Sequence, residues 1–233
     1  MTWSESKMSK LPGPRGPQTL KYLAYALIGL LIGIAAQEFR WHGSDKVPQD
    51  QAAQAQKDFQ ADDYSSAIAL FEKLAAKDNP LAEYWVAHMT ELGLGVSRNP
   101  SKAIALYTKA AERGVGVAEL RLGEIYLNGT LVPPDFAQAK LYLEKAAYHG
   151  DARAAMLLGQ MYRVGIGLPA DQSEAYAWSE VANIEGNVFA TRERDASFHD
   201  MSEVDQTGAV ARAHVILKEI ENEQLPTTPP NSN

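Results

Sequence analysis

Residues 118–151 read AELRLGEIYLNGTLVPPDFAQAKLYLEKAAYHGD, and related strings recur along the chain at a spacing of 36 residues. A fixed period of roughly 20–50 residues is typical of a solenoid, because each unit buries its apolar face only by stacking on its neighbours. The positions in register include Ala67, Ala103, Ala139 and Ala175, then Asp63, Asn99, Asp135 and Asp171, then Gly93, Gly129 and Gly165.

Each copy of the repeat predicts two helices separated by a turn. From Ala118 onward, apolar residues follow the i, i+4, i+7, i+8 spacing of an amphipathic helix. Gly129 ends this helix, and the two prolines that follow cannot continue it. Asp135 is placed to cap the second helix, which ends at Gly150, where glycine adopts a left-handed conformation at low cost.

These strings carry a family resemblance. Residues 118–151, together with AAMLLGQMYRVGIGLPADQSEAYAWSEVANIEGN at 154–187, resemble Sel-like repeats, a subfamily of tetratricopeptide-type solenoids with a long turn between the helices. The pattern is A…LG.mY..G followed by D…A..yl.kAa..G, and it covers roughly residues 52–225. The resemblance implies an all-α, right-handed α/α solenoid of 36-residue helix pairs that binds other proteins and is not an enzyme.

The repeat predicts the organisation of residues 51–225. Its units are an entry unit at 51–79 that retains mainly a second helix, repeats at 80–115, 116–151 and 152–187, and closing helices at 188–224. Residues 226–233 are predicted to be a disordered tail, because a polar, proline-containing sequence buries no apolar surface.

An apolar segment precedes the repeats. Residues 22–36 read YLAYALIGLLIGIAA without a charge, and their flanks extend the segment to 20–39. This length suits a membrane helix. Basic residues before it place the N-terminus in the cytosol by the positive-inside rule. We therefore expect a cytosolic tail at 1–19, an uncleaved anchor in a bacterial inner membrane, a linker at 40–50 and periplasmic repeats.

Two further features of the apolar segment affect this interpretation. Gly33, Ile34 and Ala35 offer a small-x-small cleavage pattern, so the alternative is a cleaved signal peptide and a soluble periplasmic protein. Gly29 and Gly33 have the small-xxx-small spacing that lets two membrane helices approach closely, which makes them a candidate seam for helix packing.

Composition excludes several classes of site. The chain has no cysteine, so thiolate metal sites and cysteine nucleophiles are absent. Its net charge of −7 divides into +3 for residues 1–36 and −10 for the remainder, which disfavours nucleic-acid binding. The five histidines lack paired ligand spacing, and the glycine-containing turns lack the lysine of a phosphate loop. We expect no metal, no cofactor and no catalytic residue.

A surface remains as the candidate site. In tetratricopeptide-type solenoids the first helix of each pair lines a groove, and the resemblance transfers that arrangement by register. Columns of mixed polar and apolar side chains suit an extended peptide or a partner helix. The candidate groove residues are Tyr84, Leu120 and Met156, then His88, Glu124 and Gln160, then Glu91, Leu127 and Arg163, with Arg121 and Asn128 beside them.

Two functional hypotheses follow. The first is a membrane-anchored periplasmic adaptor, an accessory subunit or regulatory factor of an envelope complex, with the bilayer contacted through residues 20–39. The second is a protein that binds cell-wall glycan, or an envelope hydrolase that uses groove carboxylates. Glu91 and Glu124 lie in adjacent units on one face, so they are the candidate pair for that chemistry.

Overall fold

The computed structural model describes residues 49–199 and 201–224, which form ten α-helices without a strand. The apolar segment at 20–39, its Gly29 and Gly33, and the tail at 226–233 lie outside the described residues. The helices are α1 (Gln49–Gln60), α2 (Tyr64–Ala75), α3 (Pro80–Leu92), α4 (Pro100–Glu112), α5 (Gly116–Asn128), α6 (Phe136–Tyr148), α7 (Ala152–Val164), α8 (Gln172–Ile184), α9 (Ala190–His199) and α10 (Glu203–Gln224). None of these helices is long and apolar enough to cross a membrane.

The helices form stacked pairs. The odd-numbered helices α1 to α9 are the first helices of successive units, and the even-numbered helices are the second helices. From α2 to α8, each helix packs against the preceding and the following helix in the chain. Helices α3, α5 and α7 begin at Pro80, Gly116 and Ala152, each 36 residues after the last. The predicted all-helical solenoid of repeated helix pairs is confirmed.

Side-chain caps begin the second helices as the sequence predicts. The Asp135 carboxylate accepts a hydrogen bond of 3.0 Å from the backbone N–H of Gln138, which satisfies one of the amides that lack a partner in the first turn. The same bond forms at the other units, where the caps are Asp63, Asn99 and Asp171.

The long turn of each of the three full repeats is closed by one repeated backbone bond. The N–H of the capping residue Asp135 donates to the carbonyl of Tyr126, nine residues earlier, at 2.9 Å. Asn99 and Asp171 make the equivalent bonds in their units, to Thr90 and Tyr162. Gly129 ends α5 with a φ of +66°, a conformation that favours glycine. These bonds bring the second helix back against the first.

Small residues set the distance between the helices of a pair. Ala139 on α6 and Ala118 on α5 have no exposed surface, and their equivalents in the other repeats are buried as well. A methyl group added at Gly123 would lie 2.7 Å from side-chain atoms of Leu143. Close packing of this kind removes apolar surface from water without large side chains.

The entry unit differs from the prediction. It is a complete helix pair, because α1 begins at Gln49 and packs against α2. The prediction failed because α1 reads QDQAAQAQKDFQ, a polar sequence in which Ala55 is the one completely buried residue between positions 51 and 60. Phe59 adds a ring contact to Trp85 of the next unit, with centroids 5.1 Å apart. Tertiary packing therefore holds a helix that its own pattern indicates only weakly.

The last helix runs across the second helices of earlier units. Helix α10 packs against α8 and reaches α6. Arg212 Nε donates to Glu174 of α8 at 2.8 Å, and the hydroxyl of Tyr148 on α6 donates to Glu219 at 3.0 Å. Buried Ile216 and Ile220 supply apolar contact along the same helix.

Candidate partner-binding face

The candidate groove residues differ in their accessibility. Tyr84 and Glu91 are buried, with 8% and 4% of their surface exposed, so their side chains pack between helices. Asn128, the last residue of α5, is exposed. The remaining residues are partly exposed and form a stripe along α3, α5 and α7: His88, Leu120, Arg121, Glu124, Leu127, Met156, Gln160 and Arg163. We call the side of the unit that carries this stripe the first-helix face.

A polar cluster joins the first two full repeats beneath this face. The hydroxyl of Tyr107 on α4 donates to Glu91 Oε2 at 2.8 Å. Arg121 of α5 contacts both oxygens of Glu91, with Nε donating to Oε2 at 3.1 Å and Nη2 paired with Oε1. His88 Nδ1 lies 3.2 Å from the Tyr107 hydroxyl. Since that hydroxyl gives its proton to Glu91, His88 Nδ1 is the donor in this contact.

This cluster sets the protonation of its members. Burial alone would raise the pKa of Glu91, but hydrogen bonds from Arg121 and Tyr107 outweigh it and hold that pKa below its ordinary value. Burial lowers the pKa of His88 and raises that of Tyr84 to about 12. The cluster is therefore an ionised carboxylate with a guanidinium and neutral aromatic partners.

Glu124 links the same cluster to the next repeat. Arg121 Nη1 donates to Glu124 Oε2 at 3.1 Å, and Arg153 of α7 lies 2.7 Å from Glu124 Oε1. The side chain of Arg153 is 65% exposed, whereas that of Glu124 is 13% exposed. The carboxylate therefore lies beneath the face and the two guanidinium groups extend toward its surface.

The same two repeat positions hold a different pair of residues at each of three successive junctions between units. Glu91 and Arg121, which are 30 residues apart, form an ion pair between α3 and α5. One repeat later, both positions are leucines that pack on the core, Leu127 and Leu157. One further repeat on, the charges are reversed, because Arg163 of α7 pairs with Glu193 of α9 at 2.7 Å. Each junction is therefore chemically distinct from the others.

Within units, a buried glutamate on the first helix pairs with a cation near the end of the second. In the first full repeat, Arg113 lies 3.3 Å from Glu83. In the next repeat, His149 Nδ1 lies 2.7 Å from Glu119. The hydrogen bond that His149 donates to the Glu119 carboxylate raises the pKa of His149, although burial opposes this.

Three further residues on this side of the first helices were not predicted. Arg153 and Phe189 follow Val117 at intervals of 36 residues, and Arg192 follows Met156 in the same way. Phe189 is 80% exposed. The repeat period carries a signal for all three, but the column of Val117 and Arg153 is not one of the predicted groove columns, and residues after 187 resemble a closing element.

The two candidate carboxylates do not have the environment of a glycosidase pair. Both contact the guanidinium of Arg121, and Glu91 is buried with a lowered pKa. A general acid in glycoside hydrolysis needs a raised pKa, which a low-dielectric site without a cation provides. The aromatic candidate for stacking on a sugar, Tyr84, is also buried. This geometry favours an interaction surface over the hydrolase hypothesis.

Comparison with known proteins identifies the repeat. The Sel1 repeat family matches residues 59–79, 80–115, 116–151 and 152–187, which together are more than half of the chain. The chain belongs to the Sel1 repeat family. Sel1 repeats generally mediate protein–protein interaction. No match was found among curated proteins.

Several solved structures are similar to this Sel1 repeat chain. A Sel1 repeat protein from Oxalobacter formigenes is 27% identical with a TM-score of 0.59, over 72% of this chain and 69% of that one. A protective antigen of uropathogenic Escherichia coli with an SLR fold is 23% identical with a TM-score of 0.47, over 72% and 46%. An immunity protein from Pseudomonas aeruginosa is 16% identical with a TM-score of 0.33, over 77% and 90%. The Oxalobacter formigenes structure supports the solenoid fold.

Proposed function

We propose that this Sel1 repeat protein is a membrane-anchored periplasmic adaptor that holds a protein partner on its first-helix face. The observation that carries the proposal is the partly exposed stripe on α3, α5 and α7, where leucine and methionine side chains lie among arginine, glutamate and glutamine. A mixed surface of this kind is typical of extended-peptide and helix recognition.

The anchor is the second part of the proposal. The uncharged segment at 22–36, with basic residues before it, supports a single membrane helix at 20–39 with the N-terminus in the cytosol of a bacterial cell. Confinement to the membrane raises the effective concentration of a partner in the same bilayer. The chain then acts as an accessory or regulatory subunit of an envelope complex, and Gly29 and Gly33 provide the close-packing side of the anchor.

The test is a mild-detergent purification of the tagged full chain beside a version that lacks residues 1–36, followed by mass spectrometry of the co-purified proteins. A stoichiometric partner retained by both versions places recognition in the repeats. A partner retained by the full chain alone makes the membrane helix part of the binding site. Absence of a partner from both preparations contradicts the adaptor function, and a glycan-binding assay is then the appropriate experiment.

A further inference from the structure

Arginine and lysine are separated between the two helix layers from α3 to α9, whereas the closing helix α10 carries both Arg212 and Lys218. From α3 onward, the first helices of the described chain contain Arg121, Arg153, Arg163, Arg192 and Arg194 and no lysine. The second helices α4 and α6 contain Lys102, Lys109, Lys140 and Lys145 and no arginine. Protein interfaces are enriched in arginine and depleted of lysine, because the guanidinium is weakly hydrated and binds carboxylates through two hydrogen bonds. This separation indicates that the first helices form the binding layer.

The first-helix face is cationic at its surface although the whole chain is acidic. Among the described residues, α3, α5 and α7 carry no acidic side chain that is largely exposed, since their carboxylates are buried or lie beneath arginines. The arginine is the more exposed partner in the pairs Arg121–Glu91, Arg153–Glu124 and Arg163–Glu193. Arg192 is exposed and forms no ion pair with the described residues. The charged groups that remain accessible on α3, α5 and α7 are therefore guanidinium groups.

An exposed aromatic side chain lies at the end of the same face. Phe189 occupies the register of Arg153, and the neighbouring Val188 is 75% exposed. Asn187 Nδ2 lies 3.4 Å from Met156 Sδ, which positions this turn beside α7. Large exposed apolar side chains flanked by polar groups are typical of contact sites, and aromatic residues contribute most to such contacts.

We propose that the first-helix face binds an acidic peptide segment of a protein partner, with Arg153 and Arg192 contacting its carboxylates and Phe189 contacting one of its apolar side chains. This inference rests on the proposed adaptor function and adds the chemistry of the partner. Carboxylates complement guanidinium groups that are already ordered by Glu124 and by the helix scaffold. Nucleic acid is the poorer occupant, because the chain has a net charge of −7 and its accessible cations alternate with apolar side chains.

The test is a selection of random peptides of about 12 residues, a length that crosses neighbouring helices spaced about 10 Å apart. The full chain, purified in mild detergent, is immobilised and the enriched peptides are sequenced. We expect the enriched set to carry a net negative charge and at least one large apolar residue. The affinity of an enriched peptide, measured by fluorescence anisotropy, should fall as the salt concentration rises.

Two double variants with the same charge change separate this site from general electrostatic attraction. Arg153→Gln with Arg192→Gln should weaken binding by about tenfold or more. Lys73→Gln with Lys102→Gln, on the exposed surface of the second helices α2 and α4, should change it less than about twofold. Phe189→Ala should weaken binding without changing its salt dependence. Circular dichroism melts verify that all variants fold.

The outcomes distinguish this inference from the adaptor function. Enrichment of neutral or basic peptides overturns the acidic partner but leaves the adaptor function intact. Equal losses in the arginine and lysine variants show non-specific attraction and also overturn it. Absence of any enriched peptide overturns peptide recognition, whereas the adaptor function is decided by the proteins that co-purify with the chain.

Discussion

At the scale of single residues, the units differ at one buried ion pair. The first full repeat pairs Glu83 with Arg113, and the second pairs Glu119 with His149. Arginine stays charged at all physiological pH values, whereas histidine titrates near neutrality. In the next repeat the glutamate position is alanine and the cation position is glutamate, so the pair is absent there. We therefore expect the stability of the second full repeat to depend on pH through this pair, whereas the Arg113 pair of its neighbour does not titrate in this range.

We expect His149→Arg to remove part of the pH dependence of stability. The pKa of His149 is raised above its ordinary value of 6.5, mainly by the hydrogen bond that it donates to Glu119, with Glu223 assisting and burial and Lys145 opposing. The stabilisation is therefore fully present below pH 6.5 and is lost as the pH rises through the folded-state pKa. Its size is about 1 kcal/mol or less, because the histidine side chain is half-exposed.

The measurement is urea unfolding of the wild type and the variant between pH 5.5 and pH 8.5 (about one pH unit below to two above the ordinary value). The lowered pKa of His88 contributes equally to both proteins, so their difference isolates His149. Identical pH profiles for the two proteins would show that the pair with Glu119 does not contribute to stability.

At the scale of helices, the sequence period was sufficient to place most elements. Caps at Asp63, Asn99, Asp135 and Asp171 and left-handed glycines after the first helices are local signals, so they predicted the helix ends. Helix α1 was missed because its sequence is polar, with Phe59 as its one large apolar residue, and its position depends on contact with α2 and Trp85. Local chemistry determines where a helix ends, whereas packing determines whether a weak helix forms.

Two glycines inside helices should respond oppositely to alanine. Alanine favours a helix over glycine by about 1 kcal/mol. Gly208 in α10 has open space around it, so Gly208→Ala should stabilise the protein by about that amount. At Gly123 the added methyl group would clash with buried Leu143, at a cost of about 1–3 kcal/mol that cancels or exceeds the gain. Thermal melts followed by circular dichroism measure both changes, and an equal gain in both variants would contradict the tight packing at Gly123.

At the scale of the whole molecule, the junctions between units are individually specified. An ion pair at Glu91 and Arg121, two leucines at the next junction and a reversed pair at Arg163 and Glu193 occupy the same repeat positions. A unit shifted by one repeat would bring unlike positions together and leave a charge without its partner. Mismatched polar and apolar contacts of this kind disfavour slipped or exchanged stacking of repeats.

The leucine pair of the second junction should be tolerated at the first junction, in place of Glu91 and Arg121. Arg121→Leu alone leaves the buried carboxylate of Glu91 without its cation, and we expect it to cost about 3–5 kcal/mol. Adding Glu91→Leu should restore most of that loss, because the pair then matches Leu127 and Leu157. Glu124 keeps Arg153 as its partner in both variants.

Urea unfolding of the two single variants and the double variant gives the coupling energy between Glu91 and Arg121. A double variant no more stable than Arg121→Leu would show that the leucine junction does not transfer between units. The stability of the double variant would then be limited by the polar side chains that surround position 91, Tyr107 and His88, rather than by loss of the ion pair.

The candidate face was only partly predictable. The repeat register identified its columns correctly as positions on first helices, but register contains no information on burial. Tyr84 and Glu91 share columns with partly exposed residues, yet both are enclosed by Tyr107 and Arg121. Arg192 continues the column of Tyr84, Leu120 and Met156, and Phe189 continues the neighbouring column of Val117 and Arg153. Both are exposed, because the closing helix α10 packs on α8 instead of covering α9.

The 36-residue period, the caps and the glycines by themselves determined an all-helical solenoid and its family, since these signals act within one unit or between adjacent units. Only the tertiary structure decided which charged side chains pair and which reach solvent. The partners Glu91 and Arg121 are 30 residues apart, and their pairing depends on the distance and angle at which two helices pack. Burial and ion pairing depend on that geometry, which a repeat pattern does not specify.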